Sequence, residues 1–170
     1  ISATLPFGAT PDEIEEGLRG FRQPSGRMKV LNIGTWTVID DTYNANPDSV
    51  AAALKSLSLM KGRRVAVLGE MFELGPSSGA LHKEAGLDAA RLGIDVVVAI
   101  GKSGAFTKEG ALEHGMKEKD VHFFGSNAKA VEKISAILKE KDVVLVKGSR
   151  SAKTEEIMEG LAALVKNKKG

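Results

Sequence analysis

The chain contains no cysteine among its 170 residues, which excludes disulfide bridges, thiol catalysis and zinc held by cysteines. It also lacks a long hydrophobic run. The longest aliphatic stretch, Val96 to Ile100, is far shorter than the roughly 20 residues of a membrane-spanning helix. Neither sign of charge dominates, since 24 Lys and Arg residues stand against 22 Asp and Glu residues. We therefore expect no membrane insertion and no nucleic-acid partner, which would require a concentrated basic face.

The first residues, ISATLPFGAT, contain no initiator Met and no basic segment followed by a long apolar one. We therefore expect the chain to be excised from a longer protein. Residues 11–22 suit a short amphipathic helix with Pro11 in its first turn, and the following RQPSG is typical of a linker. The linker pattern predicts that residues 25–170 form one domain.

The rest of the chain alternates between strand and helix patterns. Two apolar runs around Asn32–Thr35 predict a β-hairpin, and Gly34 can take the positive φ that its turn needs. The alternation is typical of βαβ units, so we predict an α/β fold, a Rossmann-like doubly wound, mostly parallel sheet with helices on both faces and an N-terminal β-hairpin. The predicted strands lie at 63–69, 95–101, 121–125 and 142–148, and the predicted helices at 47–60, 79–92, 103–114, 127–139 and around Ile157 to Val165.

Ligands of such sheets bind at the carboxyl ends of the strands, so polar residues directly after strands are the candidates for a site. The stretch VIDDTYNANPDSVAAAL, at 38–54, has more polar residues than a turn needs. Asn46 suits a helix N-cap, Pro47 the first helical position and Asp48 the positive end of the helix dipole. The helix does not account for the other polar residues of this stretch, whose side chains are suited to bind a nucleotide or a small zwitterion. These residues are Asp40, Asp41, Tyr43 and Asn44.

The sequence GKSG at 101–104 follows a predicted strand and opens a predicted helix, as a phosphate-binding loop does. The full motif G-x-x-x-x-G-K-[ST] would need glycine at position 96, which is Val96. The chain therefore has no complete phosphate loop. Gly101 is expected to make the strand-to-helix turn, and Ser103 to cap the helix.

Two further loops follow predicted strands. The long one at 69–82 carries Glu70, Glu73 and His82, and Ser77 or Ser78 is expected to cap its helix. The loop VKGSRSAKTEEI places Lys147 and Arg150 beside Gly148 and Ser149, where two cations suit an anionic group, with Thr154 as the expected helix cap. Arg27 stands alone in the linker, from which a guanidinium can reach a phosphate on a neighbouring domain.

In their order along the chain, four segments resemble the Mur ligase family, which builds the peptidoglycan stem peptide. They are GRM at 26–28, IDDTYNANPDS at 39–49, AVLGEMFELGPSS at 66–78 with His82, and VLVKGSR at 144–150. The DDTYNANP form is typical of members that add a dipeptide, whereas members that add a diamino acid have a Tyr-Ala-His pattern. Glu70 stands where Asp is more familiar, and the sequence after Arg150 departs from the family pattern.

The resemblance implies a cytoplasmic, ATP- and Mg-dependent ligase. It would activate the carboxylate of UDP-N-acetylmuramoyl-tripeptide as an acyl phosphate, which the amine of D-alanyl-D-alanine then attacks. The phosphate loop and the metal ligands would lie in a central ATPase domain, of which residues 1–24 would be the end. No metal site and no complete catalytic set is therefore expected in this chain, which should be inactive alone.

The resemblance also implies roles for residues. The ATP-side residues would be Arg27 at the phosphates and Asp41 at the ribose or an adjacent group of ATP. Tyr43, Asn44 and Asn46 would line the adenine side or the dipeptide side of the cleft. The dipeptide-side candidates are Glu70, Glu73, His82, Lys147, Ser149 and Arg150. From the sequence we expect Asp41→Ala to raise the KM for ATP in the longer protein without unfolding the domain.

Two other interpretations stay open at this point. The first is another ligase of the superfamily, either a folylpolyglutamate synthase or a diamino-acid-adding enzyme. The second is a nucleotide-binding or interaction module that performs no chemistry.

Overall fold

A computed structural model describes residues 8–20 and 24–167. The strands are β1 (Lys29–Ile33), β2 (Trp36–Asp41), β3 (Arg64–Leu68), β4 (Val96–Ile100), β5 (Val121–Phe124) and β6 (Val143–Lys147). The helices are α1 (Pro11–Arg19), α2 (Pro47–Ser58), α3 (Ser78–Arg91), α4 (Gly104–Glu113), α5 (Asn127–Ile137) and α6 (Glu155–Asn167). No helix in these two ranges is long and apolar enough to span a membrane.

The strands form one six-stranded sheet in the order β1-β2-β6-β3-β4-β5. Strands β1 and β2 pair antiparallel, and Ile33 pairs with Trp36 across a two-residue turn in which Gly34 has a φ of +61°. The other strand pairs are parallel. The predicted α/β fold, a mostly parallel sheet that begins with a β-hairpin, is therefore confirmed.

Helices cover the two faces of the sheet unequally. Buried residues of α2, α3 and α4 pack on one face, and those of α5 and α6 on the other. Successive residues of a strand point to opposite faces, so Leu145 joins the first core whereas Val144 and Val146 join the second. Burial on both faces explains why the parallel strands are continuous aliphatic runs.

The strand order determines which loops meet. Strand β6 lies between β2 and β3, so the last strand in sequence adjoins two of the earlier ones. Helix α2 leaves β2 toward one face, and α6 follows β6 on the other. A crevice opens at the carboxyl ends of adjacent strands whose connections diverge in this way.

The predicted helix ends agree with the structure to within a few residues, but most of the predicted caps do not. Asn46 caps α2 as expected, because its side chain accepts from the N–H of Ser49 at 2.8 Å. Neither Ser77 nor Ser103 makes a side-chain capping hydrogen bond. The Oγ1 of Thr154 is buried and finds no partner in the described part of the chain, so the prediction that it caps α6 is wrong.

Helix α1 is stabilised by a capping box between Thr10 and Glu13 and contributes no buried residue. It ends at Arg19, and residues 21–22 of the predicted helix lie outside the described residues. The domain boundary at residues 24–25 stays a prediction.

Candidate functional site

A cavity of about 460 Å³, here called the first cavity, opens at the carboxyl ends of β2 and β6. It lies between the turn at 26–28, the loop after β2 and the first turns of α2. Its volume is in the range that small ligands and cofactors occupy. The lining includes all five predicted ATP-side residues and one dipeptide-side candidate: Arg27, Asp41, Tyr43, Asn44, Asn46 and Lys147.

Lys147 forms the floor of the first cavity together with Asp41. Its ammonium group lies 2.6 Å from Oδ2 of Asp41 and donates to the carbonyl oxygen of Asn44 at 2.9 Å. Both charged residues are largely buried, with 2% of Lys147 and 9% of Asp41 exposed. The pair follows from strand register, because these two residues are Cα partners at the ends of β2 and β6. The structure thus brings Lys147 into contact with Asp41 and Asn44, two of the predicted ATP-side residues.

Arg27 supplies a second cation at the first cavity. Its guanidinium carbon lies 4.0 Å from the centroid of the Tyr43 ring, a cation–π contact. Arg27 takes part in no ion pair within the described residues, and both side chains are exposed. An arginine held on an aromatic face without a carboxylate partner is suited to bind an anionic group.

A second cavity, of about 310 Å³, lies at the carboxyl ends of β3 to β6, against the first turns of α5 and α6. Glu70 lines it and accepts from the backbone N–H of Ser103 at 3.0 Å. Asn127 ties the start of α5 to the loop after β6, donating to the carbonyls of Ala152 at 2.8 Å and Lys153 at 3.1 Å. Sequence reasoning missed Asn127, although the Gly-Ser-Asn run directly after a strand was a signal for it.

His82 lies inside the protein and faces neither cavity. It is 1% exposed, its Nε2 accepts from the N–H of Met71 at 2.9 Å, and its Nδ1 lies 2.7 Å from the carbonyl oxygen of Ser78. The Met71 donor requires an unprotonated Nε2, so the proton of a neutral ring is on Nδ1, where it donates to Ser78. His82 therefore fixes the long loop after β3 to α3.

The other dipeptide-side candidates are divided between interior and surface. Ser149 is buried, and its hydroxyl donates to the carbonyl of Ala45 at 3.0 Å and accepts from the N–H of Phe72 at 3.0 Å. Glu73 and Arg150 are exposed, and Glu73 has a φ of +65°. The structure therefore does not bring the six dipeptide-side candidates together in one place.

The sequence of this chain matches the model of a known protein family. The family model described as "Mur ligase, glutamate ligase domain" matches residues 26–150. This range contains the whole lining of the first cavity and that of the second apart from Ser151, Ala152, Lys153 and Glu156. It begins at the turn that carries Arg27 and ends in the loop after β6.

Two curated relatives match nearly the whole chain. Both are named UDP-N-acetylmuramoyl-tripeptide–D-alanyl-D-alanine ligase. The Bacillus subtilis protein is 34% identical over 95% of this chain, and the Escherichia coli protein 36% identical over 93%. The chain spans only about a third of their length, 36% and 34% respectively.

A solved structure shares the fold. The MurF ligase from Thermotoga maritima, crystallised in complex with ADP, superposes with a TM-score of 0.80 at 25% identity. The match covers 98% of this chain and 37% of that one.

Proposed function

Since this chain belongs to the Mur ligase family, we propose that it is the C-terminal ligase domain of an ATP-dependent enzyme that joins D-alanyl-D-alanine to UDP-N-acetylmuramoyl-tripeptide. The names of its curated relatives support this substrate pair. The tripeptide carboxylate would attack the γ-phosphate of ATP, which releases ADP and forms an acyl phosphate. The dipeptide amine would then attack the acyl carbonyl, which forms the amide and releases phosphate. In this proposal the longer protein is cytoplasmic, and residues 1–24 are the end of its central ATPase domain.

The observation that carries the proposal is the composition of the first cavity. The guanidinium of Arg27, which forms no ion pair in the described part of the chain, suits an ATP phosphate, and the carboxylate of Asp41 retains acceptor positions for a ribose hydroxyl. Tyr43, Asn44 and Asn46 line the remaining wall, with an exposed ring and two amides for the rest of the nucleotide. The ADP complex of the Thermotoga maritima relative supports a nucleotide in this family.

We place the incoming dipeptide at the second cavity. Glu70 offers a carboxylate for its ammonium group, and residues 151–153 also line this cavity. Glu73 and Arg150 stay candidates, although neither lines one of the two cavities. We assign His82, Ser149 and Lys147 to holding the loops in place, because each is buried and bonded to protein groups.

The proposed magnesium ligands lie in the rest of the longer protein. No group of three or more His, Asp or Glu residues able to hold a metal occurs within residues 8–20 and 24–167. We therefore propose that magnesium arrives with ATP and is held by the rest of the longer protein. This chain would close over the nucleotide and the dipeptide, and would be inactive alone.

The first test uses the longer protein from which the chain derives. Phosphate release from ATP would be measured with UDP-N-acetylmuramoyl-tripeptide and either D-alanyl-D-alanine or a free diamino acid. We expect release only with the dipeptide. Release only with the diamino acid would indicate the sister enzyme, and release with neither would favour a module without chemistry.

A matched pair of variants tests the ATP side. We expect Arg27→Ala to raise the KM for ATP about tenfold or more, the cost of one charge-assisted contact. Arg91→Ala, an exposed arginine at the end of α3, is the control and should leave the KM unchanged. Equal KM values for the two variants would remove Arg27 from the site.

A further inference from the structure

The turn that carries Arg27 has an uncommon backbone. Gly26 and Met28, on either side of Arg27, have φ values of +72° and +53°. Left-handed φ values are uncommon for residues other than glycine, so Met28 is held there by its surroundings. The position of Arg27 thus depends on whatever holds this turn.

Two adjacent carboxylates at the end of β2 hold it. Oδ2 of Asp40 accepts from the backbone N–H of Gly26 at 3.0 Å, and Oδ1 of Asp41 accepts from that of Met28 at 3.1 Å. The carboxylates therefore bind the N–H groups just before and just after Arg27. The carbonyl of Gly26 also accepts from the N–H of Tyr43 at 2.8 Å.

The two acids differ in what else they can reach. Asp41 lines the first cavity, whereas Asp40 is absent from its lining. Asp40 is 9% exposed, and its Oδ1 accepts from the hydroxyl of Thr42 at 2.7 Å and from the N–H of Thr42 at 3.3 Å. Its bonds thus join only the turn and the residue that precedes Tyr43, the partner ring of Arg27.

We infer that Asp40 is a positioning residue for Arg27. By tying Gly26 to Thr42, it fixes the backbone of Arg27 relative to the Tyr43 ring and sets where the guanidinium stands at the first cavity. A long side chain with many rotamers binds an anion more tightly when its position is fixed beforehand. The consequence for ATP rests on the proposed function, whereas the effect on the Arg27–Tyr43 contact does not.

The first experiment needs no nucleotide. Tyr43 is the only tyrosine of the chain, so its ring signals in a ¹H–¹³C NMR spectrum are unambiguous. We would compare Asp40→Asn with Arg27→Ala, using the exposed Asp48→Asn as the matched control. An asparagine at 40 has only one acceptor oxygen, so one of the two backbone N–H groups that Asp40 binds through separate oxygens, that of Gly26 or that of Thr42, loses its acceptor. We expect Asp40→Asn to shift the Tyr43 signals in the direction of Arg27→Ala, and Asp48→Asn to leave them in place.

The second experiment measures ATP kinetics in the longer protein. We expect Asp40→Asn to raise the KM for ATP about tenfold while changing kcat less. The same substitution in an Arg27→Ala background should raise it no further, because Asp40 acts through Arg27. Additive effects of the two substitutions would overturn the inference.

Folding is checked by thermal unfolding followed at Trp36, the only tryptophan. If Asp40→Asn does not fold, Gly26→Ala replaces it, because an added Cβ would lie 3.0 Å from the Tyr43 nitrogen and displaces the turn without changing charge. Tyr43 signals at wild-type positions in a folded variant would show the inference to be wrong. Shifted signals with an unchanged KM would support the positioning role and instead reject Arg27 as an ATP ligand.

Discussion

Lys147 and Asp41 form an ion pair, 2.6 Å from Nζ to Oδ2, that joins the carboxyl ends of β6 and β2 although 106 positions separate them in the sequence. Because the pair is buried, each charged group is stable there only while the other neutralises it. It also couples the floor of the first cavity to the turn at 26–28, because the second oxygen of Asp41 binds Met28.

Removing Asp41 should therefore destabilise the protein. We expect Asp41→Ala to lower the free energy of unfolding by about 3–5 kcal/mol, because it leaves a buried ammonium group unpaired. The sequence-based expectation was a higher KM for ATP without unfolding, and it did not include this loss of stability. Urea unfolding would measure it, with Glu118→Ala in the exposed Lys108 pair as the control, which should cost at most about 1 kcal/mol. Equal losses in the two variants would contradict the assigned role of the buried pair.

Helices α3 and α4 pack through two glycines. A Cβ at Gly86 would overlap the carbonyl of Thr107, and one at Gly110 would overlap that of Lys83. We expect Gly86→Ala or Gly110→Ala to lower the free energy of unfolding by about 1–3 kcal/mol or more, because backbone cannot move aside.

The control for this pair is Gly79→Ala in the same helix α3. Its Cβ would meet only the Phe106 ring, at 3.3–3.4 Å, and that ring is exposed enough to move. Thermal unfolding of the three variants is the measurement. Equal stability in all three would show that the helices do not need the close approach.

His122 in β5 should make the stability depend on pH. Burial lowers the pKa of His122 below its ordinary value of about 6.5, Lys108 and Arg63 lower it further, and Asp120 opposes them. Protonation is then harder in the folded state, so the stabilisation is full above about pH 6.5 and is lost as the pH falls through the folded pKa.

We expect His122→Gln to flatten the decrease in urea midpoint between about pH 7 and pH 5. His114→Gln is the control, because His114 is exposed at the end of α4. The same pH slope in wild type and His122→Gln would rule out this contribution.

His82 should matter to the loop after β3 rather than to a ligand. We expect His82→Leu to cost about 1–3 kcal/mol of unfolding free energy, because the buried N–H of Met71 loses its acceptor. If the longer protein uses D-alanyl-D-alanine as proposed, its KM for that dipeptide should stay unchanged. A raised KM at unchanged stability would return His82 to the dipeptide side.

Replacing Thr154 by valine should not lower the stability of the protein. Its Oγ1 is buried beside Gly69 and Gly148 with no hydrogen-bond partner in residues 8–20 and 24–167. Thr154→Val keeps the shape and removes the unsatisfied hydroxyl, so we expect the free energy of unfolding to stay equal or to rise by about 1 kcal/mol. Thr107→Val, at another buried threonine, gives a comparison by urea unfolding. A loss of stability in Thr154→Val would reveal a partner for the hydroxyl.

Much of the local structure could be predicted from the sequence. The bounds of the elements, the turn at Gly34 and the cap at Asn46 depend on residues three or four positions apart, and the sequence displays such patterns directly. The cap predictions failed at Ser77 and Ser103 because both have helical φ and ψ values, whereas a capping residue needs an extended backbone. The N–H of Ser103 is bound by Glu70 from the loop after β3.

The sequence by itself thus determined the α/β class, the hairpin and the family resemblance, and it singled out five residues, predicted to be on the ATP side, that line the first cavity. Only the tertiary structure decided which polar residues meet. It placed β6 between β2 and β3, paired Lys147 with Asp41, and turned His82 and Ser149 inward. The physical reason is the sequence separation of the residues involved. Helix and strand patterns arise from residues that are close in sequence, whereas contacts between distant loops form only once the strands have taken their order in the sheet.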